Sequence, residues 1–152
     1  MRPDPRQRLP GLRQLLTRLR PPPAKAAHLR LGLWGERQAE RFLRRQGLRI
    51  LGRRVRVGKK DELDLIARDG RVFVVIEVKT RAAEGLEPPR KAVDAEKRYH
   101  LSRAAVRYVR RLQPPPDAIR FDIVEVIGQP KGPPPEIRHH ANAFPLHHSF
   151  RL

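Results

Sequence analysis

The chain contains no cysteine. That excludes disulfide frameworks and thiolate metal sites, and it suits a protein of the reducing cytoplasm. No apolar run approaches the ~20 residues of a membrane-spanning helix. Pro and Arg interrupt every short apolar stretch near the N-terminus, so neither a secretory h-region nor a membrane partner is expected. There is no Gly-rich phosphate loop, no convincing Ser/His/Asp arrangement and no internal repeat. Acids are scarce: 16 Asp and Glu stand against 34 Lys and Arg in 152 residues, a formal net charge of +18. Such a field draws polyanions and supports sequence-independent phosphate contacts. Nucleic acid is therefore the expected partner, ahead of an anionic membrane surface. Compositional bias accounts for the choice of Arg (27) over Lys (7), but not for the shortage of acids.

What is present suits one core, with 39% hydrophobic residues. Residues 1–27 read as a basic, Pro-rich tail, with Pro3, Pro5, Pro10 and the run Pro21-Pro22-Pro23. The expectation is a largely disordered segment, serving as a basic arm or arising from an over-extended start. A domain is expected over 28–145 and a short tail over 146–152. Helix periodicity predicts a first helix from about Ala27 to Gln46, stopped by Gly47. Strands are expected over Leu48 to Val57, Lys60 to Arg68 and Arg71 to Thr80, with Asp69-Gly70 as the hairpin turn. The run Val72-Phe73-Val74-Val75-Ile76 is apolar on both faces, as in a central covered strand. A loop over 81–90, a second helix from about Ala92 to Leu112, a strand over Ala118 to Ile127 and a short final strand near Glu136 to His140 complete the reading. The order α-β-β-β-α-β predicts an α/β fold with one mixed central sheet flanked by helices.

Acids appear where core residues belong. In the first helix, Leu29, Gly32, Leu33, Ala39 and Leu43 form a stripe on which Glu36 also lies. An inward carboxylate is costly unless paired or bound to a metal; a half-buried Glu–Arg pair is the plain alternative. With a two-residue Asp69-Gly70 turn pairing Arg68 with Arg71, Asp64 faces Val75 and Glu62 faces Glu77. Asp64, Glu77 and Lys79 then share one sheet face, with Asp64 diagonal to Glu77. Converging acids call for something cationic between them. Lys79 supplies part of that charge, and a divalent cation can supply the rest. Oxygen-only ligands select Mg²⁺ or Mn²⁺ over zinc. A lone Glu-x-Lys is usually a cross-strand salt bridge, and only the combination with Asp64 and Glu36 raises it above that.

Asp64 followed by Glu77-Val78-Lys79 resembles the PD-(D/E)XK nuclease motif. The wider context resembles the YraN-like family of bacterial proteins. It includes Gly35-Glu36, the stretches 62–70 and 73–81, Ala92-Val93-Asp94 with Lys97, Arg120-Phe121-Asp122-Ile123-Val124 and Asn142-Ala143-Phe144, spanning about residues 31–145. Two departures stand out. Asp61 replaces the family's usual Gly before the first motif, adding a negative charge, and the motif's proline is absent. The resemblance implies a restriction-endonuclease-like core similar to that of archaeal Holliday-junction resolvases. It implies Asp64 and Glu77 as metal ligands with the Val78 carbonyl, Glu36 completing or supporting the site, and Lys79 as catalytic base or electrostatic helper. A homodimer is expected by the same likeness.

Other features carry less. Lys97 lies on the inward stripe of the second helix, as a phosphate contact beside the metal or as a snorkelling lysine. Arg81 and Arg98 are candidate nucleic-acid contacts, and Arg98, Arg103, Arg107, Arg110 and Arg111 form a basic surface or merely a solvated one. Trp34 and Tyr99 offer stacking surfaces, although burial is the commoner fate of such residues. Asp122 could lie near the site, and His139, His140, His147 and His148 lack a regular metal-ligand spacing. The functional expectation is a Mg²⁺-dependent nuclease acting on DNA phosphodiesters in repair or recombination. The alternative is a nucleic-acid-binding module with an inactive or partner-activated site.

Overall fold

A computed structural model describes residues 23–83 and 93–152. The elements run α1 (Ala24–Arg45), β1 (Arg49–Val57), β2 (Asp61–Asp69), β3 (Val72–Arg81), α2 (Ala95–Val109), β4 (Ala118–Ile127) and β5 (Glu136–Phe144). The five strands form one sheet in the order β1-β2-β3-β4-β5. Only β3 and β4 pair in parallel, and α2 connects them. The result is an α/β fold with a mixed sheet between two helices, consistent with a restriction-endonuclease-like core.

Alternation along the strands builds two apolar faces. Leu65, Ala67, Val74, Ile76, Val124 and Val126 pack with Ala39 and Leu43 of α1. Ile66, Phe73, Val75, Phe121 and Ile123 pack with Leu101, Ala104, Ala105 and Val109 of α2. Strand β3 is thus covered on both sides, as its continuous apolar run predicts. Trp34 lies partly buried against the α1-side core. Tyr99 packs against His147 and Phe150 of the C-terminal segment, with ring centroids 5.2 Å apart in each case. Leu29, expected on the inward stripe, is 54% exposed, because the first turns of α1 run past the sheet.

Local chemistry sets the helix ends. Gly47 takes a φ of +88°, and Leu48 N–H returns to the Leu43 carbonyl, closing α1. α1 begins at Ala24, so residues 24–27, assigned above to the tail, are helical; residues 1–22 lie outside the described residues. Asp94 caps α2 by accepting from Lys97 N–H at 2.8 Å. The start expected at Ala92, and most of the 81–90 loop, also fall outside the described residues.

Two expectations about the strands are corrected. The turn between β2 and β3 is Gly70-Arg71, one residue later than expected, with Gly70 at φ +57°. Asp69 therefore pairs with Val72, and Ile66 rather than Asp64 faces Val75. The slip is two residues in register, so the facing of every side chain is preserved. The final strand continues to Phe144, which pairs with Phe121 beyond a register shift between Phe121 and Ile123.

The outer edge at β1 carries Arg49, Arg53, Arg54 and Arg56, all exposed. Charged side chains are a common way to keep a free edge from adding strands.

Candidate active site

The ladder between β2 and β3 runs from Asp69/Val72 to Leu65/Ile76 and ends there, although both strands continue. One further step in this register brings Asp64 opposite Glu77. At that point the Asp64 carboxylate, rather than a backbone carbonyl of β2, accepts the Val78 N–H at 2.9 Å. A side chain thus takes over the ladder's hydrogen bond, and the sheet forks. A cleft of about 320 Å³ opens at the fork, lined by Asp64, Glu77, Val78, Lys79 and Thr80, with Glu36, Gly32, Leu31 and His28 of α1.

α1 comes this close because Gly35 has no side chain. A Cβ built there would lie 1.8 Å from Thr80 Oγ1 and 2.8 Å from Thr80 Cβ. The close approach carries Glu36 to the cleft wall. Burial pushes the Glu36 carboxyl above the ordinary carboxylate value; Arg54 and Arg53 pull it down, while Glu62 and Glu77 push it further up.

Glu77 is only 4% exposed. Its Oε1 accepts from Lys79 Nζ at 2.9 Å. Its Oε2 is buried without a hydrogen bond. Lys97 Nζ of α2 lies 3.2 Å from that oxygen, within ion-pair reach but without hydrogen-bond alignment. Burial, reinforced by the Glu77 charge, pushes the Asp64 carboxyl up to about 7; the Val78 N–H and Lys97 oppose the shift. The arrangement is a pair of buried carboxylates in which two lysines engage Glu77 but one oxygen lacks an aligned donor.

That shortage fits a hard cation. An unsatisfied buried oxygen is costly, and Mg²⁺ characteristically takes one or two carboxylates with waters in the remaining positions. Asp64 and Glu77 supply the carboxylates. Among the described residues no three acidic or imidazole side chains are already gathered as a metal cage, and Glu36 is drawn toward Arg54, 3.7 Å away.

The fold therefore brings Asp64, Glu77, Val78, Lys79, Glu36 and Lys97 together. Arg81 ends β3, its carbonyl accepting Gly128 N–H, and does not line the cleft. Arg98 donates to the Val93 carbonyl at 2.9 Å and lies over the Phe144 ring, also away from the cleft. Glu62 does not face Glu77; it pairs with Arg56 of β1 and contacts the Arg54 guanidinium at 3.1 Å. Asp61 adds no free charge beside the site. Arg103 grips it with two bonds of 2.6 and 2.9 Å, which holds its carboxyl below the usual range against the effect of burial.

Asp122 lies elsewhere, wholly buried, and receives Arg120, His139 Nε2 at 2.8 Å and Asn142 N–H at 2.9 Å. His140 binds Glu125 at 3.0 Å, and the rings of His147 and His148 lie 4.2 Å apart. His28, Leu31, Thr80 and Arg54, all at the site, escape sequence reasoning. Thr80 lies in the stretch that carries the family resemblance but has no chemical signal of its own there. Arg54 looks like any other arginine of an Arg-rich strand.

The sequence matches the family described as "Uncharacterised protein family UPF0102" over residues 35–126. A UPF0102 protein of Symbiobacterium thermophilum is 46% identical over 103 residues, covering 68% of this chain and 86% of that protein. One from Solibacter usitatus is 46% identical over 99 residues, covering 64% and 75%. One from Syntrophotalea carbinolica is 40% identical over 121 residues, covering 76% and 92%. The matched span holds the whole acid fork, from Gly35 and Glu36 through Lys79 to Lys97, and on that ground the chain belongs to the UPF0102 family, which is the YraN family.

Proposed function

We propose that this protein is a divalent-cation-dependent nuclease hydrolysing DNA phosphodiesters at the Asp64–Glu77 fork. The observation that carries the reading is the buried, unbonded Oε2 of Glu77 beside an Asp64 whose carboxyl is pushed up to about 7. Two such groups at the mouth of a cleft, in a chain of net charge +18, suit a hard cation and a polyanionic substrate. Asp64 and Glu77 would hold Mg²⁺ or Mn²⁺, with the Val78 carbonyl as a further donor. When bound, the ion polarises the phosphodiester and acidifies a water. Lys79, anchored to Glu77, orients the attacking water and offsets charge on the phosphate. Glu36, on the α1 wall of the cleft, would take up the proton that the attacking water releases as the P–O bond to the leaving oxygen breaks, and Lys97 balances Glu77. By likeness to resolvases the protein acts in the cytoplasm on branched DNA, as a homodimer that sedimentation velocity would detect.

The test is cleavage of branched, flapped and linear DNA in Mg²⁺ or Mn²⁺ by wild type, Asp64→Ala and Lys79→Ala. Wild type should cut and both variants should lose at least a hundredfold. Equal activity in all three would mean contamination and would sink the reading. One observation favours the alternative of a binding module with a partner-activated site: Lys79 and Lys97 already engage Glu77. In that case DNA binding survives Asp64→Ala and no substrate is cut.

A further inference from the structure

Arg54 stands opposite Asp64. Arg53 pairs with Leu65 and Val55 with Leu63, while the residues between them, Arg54 and Asp64, are skipped by the ladder. Arg54 has a φ of +47°, in the left-handed region that disfavours a residue with a Cβ. The other non-glycine residues with positive φ among those described are Lys131, in a turn, and Asn142, a type that tolerates it. A strained arginine inside a strand marks a position whose direction matters more than its local comfort.

The strain aims the side chain at the acids. The Arg54 guanidinium lies 3.1 Å from Glu62 and 3.7 Å from Glu36. These contacts differ from the structural arginine pairs of the same protein. Arg103 holds Asp61 with two bonds of 2.6 and 2.9 Å, and Arg71 holds Asp117 with two of 2.6 Å. Arg54 makes no such two-bond grip, and its side chain is 40% exposed. A guanidinium carries five donors in a planar fork matched to phosphate, so donors remain for another acceptor. A second cleft of about 220 Å³, lined by Glu36, Arg37, Arg53 and Arg54, shares Glu36 with the first. A phosphate chain leaving the fork past Glu36 would run onto these arginines.

We infer that Arg54 is a phosphate-anchoring residue, resting on Glu36 and Glu62 until a nucleic-acid phosphate takes the guanidinium beside the acid fork. The inference rests on the reading of the site as one that binds nucleic acid. Because it concerns binding, it is tested without turnover.

The experiment is equilibrium binding of a short fluorescent DNA duplex, in calcium and over a series of salt concentrations. Arg54→Gly is the main variant, since Gly adopts a positive φ freely, and Arg54→Asn is the second, since Asn tolerates it. Both should keep or raise the melting temperature, weaken binding about tenfold, and lower the slope of log Kd against log salt by about one phosphate. Arg56→Ala is the control: it has the same strand, the same Glu62 neighbour and 84% side-chain exposure. It should weaken binding less than threefold. If the Arg54 variants bind like wild type, or no worse than Arg56→Ala, Arg54 is only part of an ion-pair cluster and the inference is overturned alone. If wild type itself binds no DNA, in calcium or in EDTA, the nucleic-acid reading falls and takes the inference with it.

Discussion

Two buried acidic centres sit on the same sheet and have opposite characters. Asp122, on β4, has its carboxylate fully engaged by Arg120, His139 and the Asn142 N–H. Burial works against its charge, but these partners together outweigh burial and hold the carboxyl below its ordinary value. Asp64 and Glu77, at the β2–β3 fork, have one oxygen without a donor and one carboxyl pushed up to about 7. The difference separates two uses of a buried acid. Asp122 ties β4 to β5 and to Arg120, which also holds Asp69 at the end of β2. The fork keeps one buried oxygen without an aligned donor beside a carboxyl that burial and a neighbouring charge push up, a combination that ordinary structural ion pairs avoid.

The contrast can be broken first at Asp122. Asp122→Ala leaves His139 and the Asn142 N–H without their acceptor and Arg120 with Asp69 alone, and losing the buried partner of such a network costs about 3 kcal/mol. The urea midpoint should fall accordingly; a loss below about 1 kcal/mol would mean that the network is not structural. Next comes Gly35→Ala. The new Cβ must displace Thr80, and overpacking of this kind costs about 2 kcal/mol. Differential scanning calorimetry should show a lower Tm, partly restored by adding Thr80→Ala.

The two centres should also respond to pH with opposite signs. The Asp64 carboxyl lies at about 7 in the folded protein against 3.8 in a model peptide. The folded state therefore keeps a proton that the unfolded chain has released. Its stabilising contribution is complete below about pH 4 and is lost as pH rises through 7. Asp122, with its pKa lowered, contributes above the unfolded value and loses its contribution as pH falls. Asp64→Asn should remove the alkaline loss and stabilise the protein at pH 8 by on the order of 2 kcal/mol, a figure discounted for partial exposure. Mn²⁺ at pH 8 should raise the Tm of wild type and leave that of Asp64→Asn unchanged; equal shifts would count against binding at the fork. The smallest effect is expected for Lys97→Met. Lys97 is partly exposed beside Glu77, so its loss should cost about 1 kcal/mol or less, and more at pH 8 than at pH 5.

Much of this was legible in the sequence, for identifiable reasons. The apolar run of β3 demanded cover on both faces, and the order of periodicities gave the sheet its two helices. The acids at 64 and 77 were placed on a common face because strand alternation is strict. An error of two residues in register leaves that parity intact, whereas an error of one would have separated them. The length of β5 was not legible beyond His140, since Ala141, Asn142 and Ala143 carry no strand pattern, Asn142 takes a positive φ, and the extension is held by its pairing with β4 across a register shift. Nor was Arg54: a backbone angle has no letter in the sequence, and an arginine among arginines gives no sign of which one bends inward. The neutralisation of Asp61 was hidden for a related reason, because Arg103 lies 42 residues away on α2.

The arginine-lined rim of β1 bears on how copies of this chain meet. Two such rims brought together antiparallel would set guanidinium against guanidinium, and the repulsion would be felt across about 10 Å at 0.1 M salt. Self-assembly along that margin is therefore discouraged in dilute buffer. A polyanion lying between two rims would reverse the sign of the encounter, turning mutual avoidance into bridging.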